Sequence, residues 1–183
     1  MTKIFDVHTM ESASKDGGQA LGRLHAAVGM IPNLAATMAE SPALLHGFLD
    51  LRERFAQTGF SGGETQVLAL VSAYENRCRY CLAFHTAMAL KEGVPGAAVD
   101  LLRDGKAPGE ARLAALSEYA REMVQKRGDV GEAGLRAFLA KGFTKQQALD
   151  VVMSLAFFQM ANYASHVTEP PLDSFLQAHV FKG

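Results

Sequence analysis

Cysteine is scarce in this chain: two residues among 183, three positions apart. A disulfide-stapled secreted scaffold needs several pairs spread along the chain, so that class is excluded. Charge of one sign is not concentrated anywhere. The 18 Lys and Arg against 19 Asp and Glu leave a net charge of −1. The chain therefore lacks the basic surface that a nucleic-acid partner or an anionic membrane would recognise. Long apolar runs are missing too, since the most apolar stretches, 66–74 and 151–161, are too short and interrupted to span a bilayer. The start, Met1 to His8, has no apolar run followed by a small-residue cleavage site. No secretory signal is read there, and a cytoplasmic location is expected.

Strand patterns are equally rare, with few β-branched runs and little period-2 alternation. What dominates is Ala, Leu, Glu, Gln, Lys and Met, in a chain that is 49% hydrophobic. That composition predicts an all-α fold: a single domain over residues 1–183, a bundle of about eight to ten helices. Residues 1–17 are expected to be loosely ordered. A first helix is predicted from about Gln19 to Val28, stopped by Gly29. Asn33 starts a short helix to Glu40. Ser41-Pro42 reads as an N-cap followed by proline at the first helical position, opening a helix that ends near Gly59. Ser61 with Glu64, and Thr144 with Gln147, form two capping boxes. The first opens a helix that is apolar around most of its circumference and is therefore central, and the second opens a long apolar helix. Between them lie helices predicted from Cys78 to Gly93, from Pro95 to Arg103, over 110–127 and over 131–141. Pro170-Pro171 ends the last long helix near His166, and Leu172 to Val180 is a terminal helical segment.

The chemistry concentrates at Cys78, Cys81 and His85. Spaced by three and then four, the three side chains share one helical stripe. Two thiols one turn apart can close an intramolecular disulfide, and an imidazole one turn further on can take a proton from the nearer thiol. A helix N-terminus and the flanking Arg77 and Arg79 favour the thiolate. Cys81, nearer the base, is the expected attacking sulfur. Cys78, at a helix start expected to be more exposed, resolves the intermediate and meets the reductant, with the opposite assignment left open. Glu75 is the candidate carboxylate to orient His85, and Tyr80 and His166 are candidate pocket residues. A zinc site is the competing reading, with Cys78, Cys81 and His85 completed by His166 or Glu75. It is the weaker one, because structural zinc sites usually join two separated ligand pairs. The reading favoured here needs no metal, haem or flavin: a thiol peroxidase acting on a small hydroperoxide. A disulfide reductase that passes electrons to a partner peroxidase would use the same cysteine pair, and a purely structural helical module would use neither thiol. So many apolar helices in one small domain also predict a homo-oligomer.

The run from Glu75 to His85, preceded by an apolar helix, resembles the signature of the alkylhydroperoxidase D-like branch of the carboxymuconolactone decarboxylase family. Softer likeness extends to Ile31-Pro32-Asn33, Ser41-Pro42, Asn162 to His166 and Pro171-Leu172-Asp173. The resemblance implies an all-helical fold assembling as trimers, dimers or hexamers. It also implies a peroxidase cycling between dithiol and disulfide, with a histidine and a glutamate as proton relay and a dihydrolipoyl-type reductant. Cys78, Cys81 and His85 match that motif. Where the best-known members carry the relay glutamate this chain has Gln66, and where they carry a histidine before the second cysteine it has Tyr80. The lactone-decarboxylating branch lacks the cysteine pair, so that activity is not expected.

Overall fold

In the computed structural model, residues 4–181 are described. Their order is α1 (Lys15–Val28), α2 (Asn33–Met38), α3 (Pro42–Phe55), α4 (Gly62–Glu75), α5 (Arg79–Lys91), α6 (Gly96–Arg103), α7 (Ala111–Gln125), α8 (Gly131–Ala140), α9 (Lys145–Thr168) and a terminal 3₁₀ segment, Ser174–His179. The fold is a single all-α domain, and no strand occurs among the described residues.

The two capping boxes form as their sequences dictate. Ser61 accepts from the Glu64 N–H while the Glu64 side chain accepts from the Ser61 N–H, and Thr144 and Gln147 do the same for α9. Ser41 caps α3 with Pro42 at its first position. The α4 helix is the centre of the molecule. Val67, Leu68, Ala69, Leu70, Val71 and Ala73 are all fully buried, because α5, α6, α7 and α9 pack around it. Around this core, α3 packs on α1 and α9, α2 packs on α9, and the 3₁₀ segment lies against α5.

The N-terminal segment departs from expectation. The α1 helix begins at Lys15, capped by Ser14, and reciprocal hydrogen bonds between Thr9 and Ser12 close a turn before it. Gly17 and Gly18 precede the predicted helix start at Gln19, yet both lie within α1 for a packing reason. A Cβ at Gly17 would lie 2.8 Å from the Ala39 carbonyl oxygen, and one at Gly18 would collide with the Met10 carbonyl. The glycines let the backbones approach. At the other end of the same group, α3 stops at Phe55 rather than near Gly59.

Candidate active site

The cysteines are set by the junction between α4 and α5. Arg77 takes a left-handed conformation (φ 55°). The Cys78 N–H then reaches the Ala73 carbonyl and the Arg77 N–H the Tyr74 carbonyl, a Schellman closure of α4. This leaves Cys78 as the N-cap of α5, its Sγ accepting from the Cys81 N–H at 3.2 Å. Cys78 and Cys81 are joined by a disulfide. The sequence expectation that the pair sits at a helix N-terminus therefore holds. The expectation that Cys78 is the more exposed sulfur does not. Cys78 is wholly buried, because the Schellman turn tucks it under the helix start, and Cys81 lines a cavity instead.

That cavity has a volume of about 750 Å³. Its walls are mostly apolar, drawn from α1, α2, α3, α5 and α9, and its mouth is edged by the exposed residues Val28, Lys91 and Glu92. His85 and Tyr80 of α5 and Gln66 of α4 line it together with Cys81.

His85 is held between Phe84 and Phe158, whose rings meet it edge to face at 5.3 and 5.2 Å. Burial pushes its imidazole down to about 3. Its Nδ1 lies 2.9 Å from Gln66 Oε1. An amide oxygen only accepts, so Nδ1 carries the hydrogen and Nε2 presents a lone pair. The ring is a neutral base with its tautomer fixed.

Glu75 requires a correction. Its carboxylate accepts from Arg121 Nε at 3.1 Å and from Gln125 Nε2 at 3.1 Å, both on α7. Gln66 and Glu75 are nine positions apart on α4, and at about 100° per residue they point to opposite sides. Only Gln66 faces His85. His166 is corrected as well: near the end of α9 it is exposed and no part of the cavity. With Glu75 and His166 elsewhere, the zinc reading loses both candidate fourth ligands. No group of three His, Cys, Asp or Glu is placed to hold a metal among the described residues.

Tyr80 does line the cavity, and it also ties the wall together. Its hydroxyl donates to Asp173 Oδ2 and accepts from the Leu34 N–H at 3.3 Å. Burial first, then the hydrogen bond to Asp173, push the phenol above its usual pKa, so it remains a donor. Asp173 Oδ1 accepts from the Asn33 N–H at 3.1 Å, and Asn33 Nδ2 donates to the Pro171 carbonyl. Sequence reasoning missed Asp173 and the aromatic wall of Phe48, Phe55, Phe84, Phe157 and Phe158. The aromatics carried a signal in their spacing on α3 and α9, whereas nothing local pairs Asp173 with Tyr80.

Comparison with known proteins bears on the fold and on the segment that carries the cysteines. The sequence model of the carboxymuconolactone decarboxylase family matches residues 42–122, from the start of α3 through most of α7. A peroxidase-related protein from Ralstonia eutropha JMP134, described as an alkylhydroperoxidase AhpD core, superposes with a TM-score of 0.83 over 96% of this chain and 95% of its own, at 21% identity. The chain has an AhpD-like all-α fold. A peroxidase-related protein from Silicibacter sp. TM1040 is similar, with a TM-score of 0.80 at 20% identity over 97% of this chain and 95% of that one. The debrominase Bmp8, in a cysteine-to-alanine variant bound to 2,3,4-tribromopyrrole, shares the fold at 14% identity, with a TM-score of 0.73 over 88% and 87% of the two chains. Among curated proteins none matches. Within the AhpD-like frame, the match contains the whole α4–α5 junction and every residue of the Cys78–Cys81–His85 stripe.

Proposed function

We propose that this AhpD-like protein is a thiol-dependent peroxidase that reduces organic hydroperoxides through a Cys78/Cys81 dithiol–disulfide cycle. The observation that carries the reading is the shared cavity: Cys81, bonded to Cys78, and the neutral base His85 open onto the same apolar space. In the reduced protein, the Cys81 sulfur attacks the terminal peroxide oxygen as its proton passes by way of His85 Nε2, without the ring holding it as a stable imidazolium. The O–O bond breaks, Cys81 becomes a sulfenic acid, and the proton returns to the departing alkoxide. Cys78 sulfur then displaces water from Cys81 and the disulfide forms, so ROOH and two thiols yield ROH, water and one disulfide.

Access favours Cys81 as the attacking sulfur, and capping favours Cys78 as the sulfur released on re-reduction. A thiolate at the N-cap is stabilised by the Cys81 N–H and the helix dipole, which makes it the better leaving group. The electron donor we propose is a small thiol or dihydrolipoyl-type dithiol able to enter the cavity, because neither sulfur reaches the outer surface.

Free-thiol counts on the reduced protein mixed with cumene hydroperoxide test the reading. Two thiols should be lost per peroxide in the wild type, and Cys81→Ser should react at least about 100-fold more slowly. Cys78→Ser should stop at a sulfenic acid that a dimedone probe captures. Retention of both wild-type thiols would defeat the proposal.

A further inference from the structure

Arg52 lies on α3 one turn from both Phe48 and Phe55, and all three line the cavity. The residue is half-buried. Three other arginines are buried to a similar degree, and each has a partner. Arg121 pairs with Glu75, Arg112 pairs with Glu64, and Arg103 donates to the His179 carbonyl. The Arg52 side chain has neither a hydrogen-bond nor an ion-pair partner among the described residues. Its nitrogens are not among the buried atoms that lack a partner, so water solvates the cation and an anion entering the cavity can displace that water. A favourable interaction with the carboxyl end of α3 does not require this position, since Arg54, two residues on, sits at the same helix end in solvent. Lys91 and Glu92 edge the mouth, but they are exposed neighbours of opposite sign.

The cavity is also far larger than hydrogen peroxide needs. Its volume of about 750 Å³ lies within the roughly 300–1,000 Å³ of sites that enclose a whole small molecule. An apolar wall, a half-buried cation with no side-chain partner among the described residues and one reactive sulfur suit an amphipathic anion, with the exposed Lys91 at the mouth adding to the positive charge. Resting on the peroxidase reading, we infer that the preferred substrate is the hydroperoxide of a long-chain organic carboxylate. The carboxylate sits on Arg52, the hydrocarbon lies along Phe48, Phe55, Phe157 and Phe158, and the peroxide meets Cys81. The carboxylate is a spectator. The hydroperoxide is reduced to the alcohol and water while the two thiols are oxidised to the disulfide.

Two assays separate this inference from the reading beneath it. The first is calorimetry of the disulfide form with decanoic acid and methyl decanoate, which needs no turnover. A charge-assisted contact should make the acid bind about 10- to 100-fold more tightly than its ester. Arg52→Gln should erase that preference, Arg52→Lys should restore part of it, and Arg54→Gln should retain it. The second is the ratio of kcat/KM for linoleic acid hydroperoxide to that for its methyl ester, which should exceed about 10 in the wild type and fall toward 1 in Arg52→Gln. Equal binding of acid and ester, or a preference untouched by Arg52→Gln, overturns the carboxylate site. Intact acid-selective binding with no reduction of any hydroperoxide would leave the site standing and sink the peroxidase reading instead.

Discussion

The side chain that most controls this site is His85, and its behaviour is set by Gln66 and by burial. With the ring held down to about 3, it stays neutral across the physiological range and imposes no titration on thiol activation between pH 5 and 8. Gln66→Glu would put a carboxylate against Nδ1 and favour the imidazolium. The ring's pKa should rise, measurable by NMR titration of the His85 imidazole, and an acidic limb should enter the pH profile of thiol oxidation. An unchanged titration would mean that Gln66 does not govern the ring. The same depression has a consequence for stability. The folded state refuses a proton that the unfolded chain, with its ordinary value near 6.5, accepts. His85 therefore destabilises the fold progressively as pH falls from about 6.5 toward 3, and the cost is absent above that window. Urea midpoints measured from pH 7 to 4 should decline less steeply in His85→Gln than in the wild type.

For the helices, the relevant fact is that α5 is anchored from two directions. The Schellman turn fixes its start to α4, and Tyr80 fixes its first turn to Asp173 and Leu34. Tyr80→Phe removes the donor to a carboxylate that is 9% exposed. The expected loss is about 1–3 kcal/mol, the usual cost of stranding a buried acceptor. The loss should appear locally as well as globally. Backbone amides of Ser174–His179, the segment that leans on α5, should exchange hydrogen faster in Tyr80→Phe than in the wild type. If protection there is unchanged, Tyr80 is only filling space. The start of α1 illustrates how packing outweighs propensity. Two adjacent glycines would ordinarily delay a helix, but here close approach to the Ala39 and Met10 carbonyls makes them the residues that fit.

At the level of the whole molecule, no helix among the described residues is long and apolar enough to cross a membrane. The α9 helix is nevertheless apolar on its outer face. Leu149, Val152, Tyr163 and Val167 are 71, 49, 53 and 66% exposed, at spacings that align them along one side. This stripe supports the proposal that copies of the chain associate. A second copy laid on it would cover side chains that the core leaves in water. Light scattering after size exclusion should give a multiple of the chain mass at micromolar concentration, and Leu149→Glu with Val167→Glu should reduce it to the monomer. A wild-type monomer would dispose of the proposal.

How much was readable in advance depends on the distance over which each feature is decided. Caps, capping boxes, the proline stops and the Cys78–Cys81–His85 stripe are fixed by neighbours within about four residues, where helix geometry is common to all proteins. They could be read from the sequence, and so could the all-α fold and the central place of α4. Even the rejection of Glu75 was latent there, since its half-turn offset from Gln66 forbids both from facing α5. Tertiary packing decided the rest. It chose which face of α4 meets His85, gave Glu75 to Arg121, buried Cys78 while opening Cys81, and drew Tyr80 to Asp173 across 93 positions of chain. Burial and cross-chain pairing depend on where whole helices lie against one another, and no local pattern carries that information.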